Sequence, residues 1–274
     1  MAFTPTVALL LVLLGFGVGA FGTVVGAGGG FILTPILLLL YPHQPAKTLT
    51  AISLIVVFFN AASGSVAYRR QRRTDYRSGI VFGAATIPGA IGGALLVAHV
   101  SRAVFDPITG AVLALLAGWL VVGGKSVREP HLRGRGVERD LVDARGEHYH
   151  YEVPIVRGAI YSLGVGFVSS FLGIGGGVIH VPLLVRALGF PTHIATATSH
   201  FVLAIMAGTA SITHLATYSF SVGHGLRRAI ALSIGVVAGA QLGAHASLHL
   251  SARTIQWLLA AALAVLSVRL LVPA

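Results

Sequence analysis

Long apolar runs dominate this chain and restrict what it can fold into. They are about twenty residues long and include residues 6–25, 48–68, 79–98 and 194–214. An α-helix needs about 20 apolar residues to span the hydrocarbon core of a bilayer. Only 10% of the residues are charged, compared with about 25% in ordinary soluble domains. We therefore predict an all-α polytopic membrane protein that is surrounded by the lipid bilayer.

A glycine-rich motif interrupts this apolar sequence twice. Residues 26–30 (box 1) read G-A-G-G-G and residues 173–177 (box 2) read G-I-G-G-G, and a proline follows five residues after each box. Glycine strongly disfavours a helix, so we expect each box to break a helix at membrane depth. The first backbone N–H groups of the helix that follows, together with its positive end, attract anions, and transporters hold substrates at such breaks. The candidate binding residues in the boxes are Gly26, Gly28, Gly29, Gly30, Gly173, Gly175, Gly176 and Gly177.

The boxes belong to a longer internal repeat. They match at an offset of 147 residues, Thr50 and Ser53 match Thr196 and Ser199 at 146, and Gly89-Ala90 matches Gly239-Ala240 at 150. Such small residues four apart let helices pack closely. The match predicts two homologous repeats of about four transmembrane helices each.

The expected domains follow from this repeat. We place the first transmembrane repeat at 1–123, a cytoplasmic linker at 124–157 and the second repeat at 158–274. In each repeat a short apolar piece, 31–41 or 178–188, follows the box. At 1.5 Å per residue it is too short to cross alone, so it is either the second half of a broken span or a re-entrant half-helix.

The linker is the only long polar stretch. Residues 137–153 alternate in a strand-like way around Ala144-Arg145-Gly146, which predicts a small β-hairpin. His148 and His150 would share one strand face, but nothing fixes a third metal ligand. We expect a solvated face there and no metal.

Basic residues set the expected orientation, because Lys and Arg collect on the cytoplasmic side. Placing 69–77, 124–157, 227–228 and the C-terminal end inside leaves only four of the 19 Lys and Arg outside. This arrangement requires four crossings per half, parallel repeats and both termini in the cytoplasm, and we favour it, in a cell inner membrane. The alternative counts each short piece as a fifth crossing, which inverts the repeats and moves 227–228 outside.

Neutral polar groups provide the chemistry expected inside the spans. No charged residue lies deep within a predicted span and the chain has no cysteine, so an enzyme or a cation carrier with a buried carboxylate is disfavoured. The boxes fit no nucleotide-binding motif, and the net charge of +11 reflects basic loops rather than nucleic acid. We expect no cofactor. The remaining candidates for contact with an anion are Thr50, Ser53, Asn60, His180, Thr196, Ser199 and His200.

Two structural alternatives stay open at this point. The boxes could serve only to pack helices tightly. His180 and His200, which stand where the first half has Leu33 and Leu54, either contact the anion or a proton or are satisfied by a neighbouring helix.

The twin motifs resemble the TauE/SafE sulfite exporter family of the toluene-sulfonate uptake permease superfamily. The resemblance lies in G-x-G-G-G, the proline five residues on, and the segments L-T-A-I-S at 49–53 and A-T-A-T-S at 195–199, in two halves joined by a polar linker. It implies a secondary transporter, an exporter, of small sulfur-containing anions such as sulfite, thiosulfate, sulfoacetate or sulfonates. Carried over by position, it assigns the site to the boxes with Pro35 and Pro182 and to Thr50, Ser53, Thr196 and Ser199.

Three further possibilities concern function and partners. The cargo could be another small organic anion, or the chain could be a membrane scaffold that transports nothing. A homodimer is left open, and nucleic acid is not expected as a partner.

Overall fold

The computed structural model describes residues 4–122, 136–217 and 224–271. The elements are α1 Pro5–Val24, α2 Gly30–Leu40, α3 Ala46–Arg70, α4 Tyr76–Leu96, α5 Arg102–Val122, β1 Val137–Val142, β2 His148–Val153, α6 Ile155–Leu172, α7 Gly177–Ala187, α8 Thr192–Thr217, α9 His224–Ala246 and α10 Ala252–Leu271, with a 3-10 turn at Val97–His99. Seven of the described helices are long and apolar enough to cross a membrane. The chain is an all-α, multi-pass membrane protein with one small hairpin, as predicted.

Both boxes break helices, also as predicted. α1 ends at Val24, and Gly26, Gly28 and Gly29 then take left-handed backbone angles (φ of +74° to +76°) before α2 begins. In box 2, Gly173 and Gly175 do the same (φ of +67° and +74°) before α7. Side-chain-bearing residues are strained in this region, so glycine is what allows the chain to turn here.

The short helix α2 runs back along α3 instead of continuing α1. Gly30 lies against Val57, and the Thr34 hydroxyl lies 2.9 Å from that of Ser53, one turn earlier in α3, so α2 and α3 are antiparallel. α1 and α3 both run parallel to α9: Gly15 and Gly19 lie against Leu232 and Val236, while Gln71 reaches Ala244 at the far end of α3. The interpretation of α2 as the continuing half of one span is therefore wrong, and the re-entrant alternative fits.

The two halves run in opposite directions. Phe58 meets Gly208, whereas Gly64, further along α3, meets His200, which is earlier in α8. The equivalent helices α3 and α8 are thus antiparallel. The expectation of parallel repeats is wrong, because a chain that turns back at the box makes an odd number of crossings per half.

Small residues close the helix contacts, as the sequence predicted. A Cβ atom added at Gly89 or Gly93 of α4 would collide with the backbone of Leu163 or Phe167 in α6. At the equivalent contact, Gly239 of α9 lies directly on the backbone of Phe16 in α1. These close contacts fix the relative direction of the four helices.

The hairpin is confirmed, and it packs on loops from both halves. β1 and β2 are antiparallel, with Val142 opposite His148. In its turn, Asp143 accepts two hydrogen bonds from Arg73 in the α3–α4 loop, at 2.9 and 3.0 Å. Tyr151 of β2 lies against Phe190, between α7 and α8, with ring centroids 5.0 Å apart.

The two histidines that the sequence places on one face of the hairpin lie at its surface. His148 and His150 are exposed, and His150 Nδ1 lies 2.7 Å from Asp140; within the described ranges no group of three metal-ligating side chains is found.

α1 begins and α10 ends on the membrane face opposite the hairpin. The expectation that the termini share the side of the linker is therefore wrong.

Single-cysteine labelling tests this topology, because the chain has no cysteine of its own. We expect Glu147→Cys in the hairpin turn and His249→Cys between α9 and α10 to react with an impermeant maleimide from the same side of the membrane. His43→Cys, between α2 and α3, should react from the other side. All three positions are exposed. Labelling of positions 249 and 43 from one side would restore the parallel arrangement.

The Asp143–Arg73 pair should hold the hairpin in place at neutral pH. Burial by itself raises the pKa of Asp143, but hydrogen bonds from the N–H groups of Arg145 and Glu147 and from Arg73 outweigh it, so the pKa lies below its ordinary value. This stabilisation is therefore complete above the ordinary aspartate pKa of about 3.9 and is lost only as the pH falls through the lowered value.

We expect Asp143→Asn to lower the free energy of local opening of the hairpin by about 2–3 kcal/mol. Hydrogen exchange, corrected for the intrinsic rate, measures this opening between pH 7 and pH 3. Asp140→Asn, at an exposed pair on the same hairpin, is the control and should change little. Equal effects of the two variants would show that the buried pair does not hold the hairpin.

Candidate functional site

The two boxes meet at one junction in the middle of the protein. A Cβ added at Gly30 would lie 2.6 Å from the carbonyl oxygen of Ile174, and one added at Gly177 would collide with that of Gly26. Val57, at the centre of α3, packs against glycines of both boxes. The junction therefore brings together the backbones of the two halves, which the sequence separates by 147 residues.

Each box is held by the polar helix of the opposite half. Ser53 of α3 donates to the carbonyl oxygen of Gly173 at 2.7 Å, and Ser199 of α8 reaches that of Gly26 at 3.4 Å. Thr34 of α2 also donates to Gly173, at 2.6 Å. Ser53 and Ser199 were predicted; Thr34 was not, because Val181 stands at the matching position and the repeat gave no signal.

Thr50 and Thr196 reach the boxes with their methyl groups. A Cβ on Gly173 would lie 2.8 Å from Cγ2 of Thr50, and one on Gly26 would lie 2.7 Å from Cγ2 of Thr196. Their hydroxyls instead donate to carbonyls of the preceding turn of their own helices, those of Ala46 and Thr192. Both threonines thus line the boxes, but their hydroxyls do not point at them.

Asn60 and His200 meet in one buried polar cluster. The Thr23 hydroxyl at the end of α1 donates to Asn60 Oδ1 at 3.1 Å and lies 3.3 Å from His200 Nε2. Tyr68 donates to the Thr23 carbonyl at 2.7 Å and lies edge-on against the His200 ring. The amide nitrogen of Asn60 is buried without a partner. Sequence analysis missed Thr23 and Tyr68, which look like ordinary residues at helix ends.

His180 lies apart from this cluster. Its Nε2 atom is 3.2 Å from the Ser162 hydroxyl of α6, and its ring lies edge-on to Phe82 of α4. Its Nδ1 atom is buried and has no partner. The structure therefore satisfies His180 on one nitrogen only, by a neighbouring helix.

The polar candidates are concentrated on one side of the junction. α3 runs from the junction towards the hairpin, so Asn60 lies on the hairpin side of Val57. α8 runs from the hairpin face inwards, so His200 lies on the same side, as does His180 in α7. The equivalent positions on the other side of the junction are Met206, Leu54 and Leu33. The two approaches to the junction thus differ in polarity.

Two helix N-termini meet at the junction. α2 begins at Gly30 and α7 at Gly177, and because the halves are inverted these helices leave the junction in opposite directions. Each places its positive end and the N–H groups of its first turn there. The described residues lining the boxes include no charged side chain. Such an arrangement favours a small anion.

Comparisons with known proteins agree with this geometry. The family profile described as Sulfite exporter TauE/SafE matches residues 11–270. The chain belongs to this family. It is 30% identical over 254 residues to the probable membrane transporter protein YunE of Bacillus subtilis (strain 168), covering 90% of this chain and 91% of that protein.

Two more distant relatives are also named probable membrane transporter proteins. A probable membrane transporter protein of Methanocaldococcus jannaschii is 25% identical over 272 residues, covering 96% of this chain and 94% of its own length. One from Haemophilus influenzae is 25% identical over 244 residues, covering 89% and 84%. No solved structure matches the chain significantly. Family and relatives identify this TauE/SafE protein as a membrane transporter.

The Gly173 carbonyl provides a test of the bracing between the halves. Either Thr34→Val or Ser53→Ala leaves one hydroxyl on this carbonyl, so each should cost about 0.6 kcal/mol, typical of a hydrogen bond between membrane helices. The double variant leaves the carbonyl buried and unpaired, which costs about 1–3 kcal/mol, more than the sum of the single changes. Unfolding in mixed micelles measures these values, with Thr217→Val, at an exposed residue at the end of α8, as the control. Additive costs would mean that the two hydroxyls do not share one acceptor.

Proposed function

We propose that this protein is a secondary transporter that exports small sulfur-containing anions, such as sulfite, thiosulfate, sulfoacetate or sulfonates, and binds them at the box junction. The observation that carries the proposal is the meeting of two helix N-termini, those of α2 and α7, at glycines with no charged side chain beside them. Backbone N–H groups can hold an anion there without a fixed cation. A site of this kind binds the anion and still releases it.

The inverted halves suggest how access would alternate. Each box is fastened to the polar helix of the opposite half, through Ser53 on Gly173 and Ser199 on Gly26. Rocking of one half against the other would exchange these contacts and open the junction first to one side and then to the other, as in other transporters with inverted halves. The approach from the hairpin side carries Asn60 and His200, which fits entry of a hydrated anion from that side.

We propose that the hairpin face is cytoplasmic and that the membrane is the cell inner membrane. Fifteen Lys and Arg lie in the described residues, and ten of them are on the hairpin face: Arg69, Arg70, Arg72, Arg73, Arg77, Arg139, Arg145, Arg157, Arg186 and Arg253. The positive-inside rule favours this orientation. It makes the hairpin side the entry side for export.

Flux in proteoliposomes tests the transport proposal. Proteoliposomes that contain the purified protein are loaded with ³⁵S-labelled sulfite, thiosulfate or sulfoacetate, and release of the label is followed. Labelled acetate serves as the carboxylate comparison. We expect one sulfur anion to be transported. Gly175→Leu should reduce its flux at least about ten-fold, because a leucine side chain at this position, where the backbone φ is +74°, would press against Val57.

Gly164→Leu is the matched control, because a Cβ at this helical glycine meets no atom within 4 Å. It should keep the flux of the unchanged protein. Size-exclusion chromatography and circular dichroism confirm that each variant is folded. Transport of acetate alone would move the cargo to carboxylates, and no flux of any anion by folded protein would favour the scaffold alternative.

A further inference from the structure

A cavity lies beneath the hairpin, separate from the box junction. It has a volume of about 270 Å³ and is enclosed by the end of α3, the hairpin turn and the end of α9. At about 30 Å³ per water molecule, it has room for several waters or for one oxyanion group with its hydration. Arg70, Arg145 and Gln241 in its wall are exposed, so the cavity opens to solvent on the hairpin face.

The lining of this cavity is strongly basic. Arg70, Arg73 and Arg145 contribute three positive charges, and Asp143 is the one carboxylate among the lining residues. Asp143 is fully engaged: its Oδ2 accepts from Arg73, and its Oδ1 accepts from the N–H groups of Arg145 and Glu147. The cavity therefore keeps an excess of two positive charges.

Arg70 and Arg145 are available for a ligand. In the described part of the chain neither forms an ion pair with a carboxylate. Arg145 uses Nη1 to bond the carbonyl of Leu248 at 3.2 Å, which anchors its side chain across the cavity. The neighbouring Gln71 is anchored in the same way, through Nε2 to the carbonyl of Ala244 at 2.9 Å. An anchored guanidinium such as that of Arg145, with the exposed Arg70 beside it in the cavity wall, suits an oxyanion, which accepts several hydrogen bonds at once.

We propose that this cavity is a second anion site, which binds a tetrahedral oxyanion group such as sulfate, phosphate or a sulfonate between Arg70 and Arg145. The group could belong to a soluble anion or to the headgroup of an anionic lipid, since basic pockets at this membrane face also bind headgroups. The bound anion would bridge α3 to the hairpin. The proposal does not depend on transport at the boxes.

The test measures binding to the full chain in nanodiscs of zwitterionic phosphatidylcholine. ³⁵S-sulfate is the soluble probe, and phosphatidylglycerol, detected by native mass spectrometry, is the lipid probe. One of the two probes should bind to the unchanged protein. We expect the double variant Arg70→Gln, Arg145→Gln to weaken that binding at least about ten-fold, because charge-assisted hydrogen bonds are lost. Arg77→Gln, an exposed arginine of the same basic loop outside the cavity, should stay within two-fold.

Three further comparisons make each outcome decisive. The Arg70→Lys, Arg145→Lys double variant keeps the charge and should retain most of the binding, which separates lost charge from misfolding. Gly175→Leu should retain the arginine-dependent binding, which separates this site from the box junction. Sulfate binding with no lipid retention names a soluble ligand, and the reverse names a headgroup. Binding unchanged in the double Gln variant, or no binding of either probe to the unchanged protein, overturns the proposal.

Discussion

Contact of backbone with backbone at the two boxes is the interaction on which the rest of the fold depends. Inside a membrane, an unpaired N–H or C=O group costs several kcal/mol. A helix can therefore break there only where other groups form hydrogen bonds with the N–H and C=O groups that the break leaves unpaired. In box 1 the N–H groups of Ala27 and Gly28 both turn back to the carbonyl of Gly22, at 2.8 and 3.1 Å. In box 2 two hydroxyls from the other half cover the carbonyl of Gly173. Box 1 is thus satisfied partly within its own half, and its Gly26 carbonyl is reached by Ser199 of the opposite half, whereas the Gly173 carbonyl of box 2 depends on the opposite half.

This mutual dependence explains why the polar residues lie on α3 and α8. Ser53 and Ser199 pair with the box of the other half rather than with their own, which is possible only because the halves are inverted and cross at the centre. The same inversion brings two helix N-termini together from opposite directions.

The interior is not symmetric, although the backbone plan is nearly so. Asn60, His180 and His200 lie on the hairpin side of the junction, and apolar residues occupy the matching positions on the other side. The hairpin adds a second difference, because its turn forms a basic cavity on the hairpin face with the ends of α3 and α9. The difference between the two approaches therefore comes from side chains on a backbone that is nearly the same in both halves.

The sequence by itself determined the membrane class, the small hairpin, the breaks at the boxes and the family. Each of these follows from local properties: apolar length, strand alternation and the backbone freedom of glycine. It also predicted Ser53 and Ser199 as site residues, because they occupy matching positions in the two repeats. It did not reveal Thr34, Thr23 or Tyr68, whose partners lie far away along the chain.

Only the tertiary structure decided the direction of the halves. Sequence gives the length of α2 but not whether it continues α1 or turns back, since both paths bury the same apolar residues. The contact of Gly30 with Val57 and the 2.9 Å approach of the Thr34 hydroxyl to that of Ser53 show that it turns back. That one reversal changes the number of crossings in each half from even to odd, and with it the side of the membrane on which the termini lie.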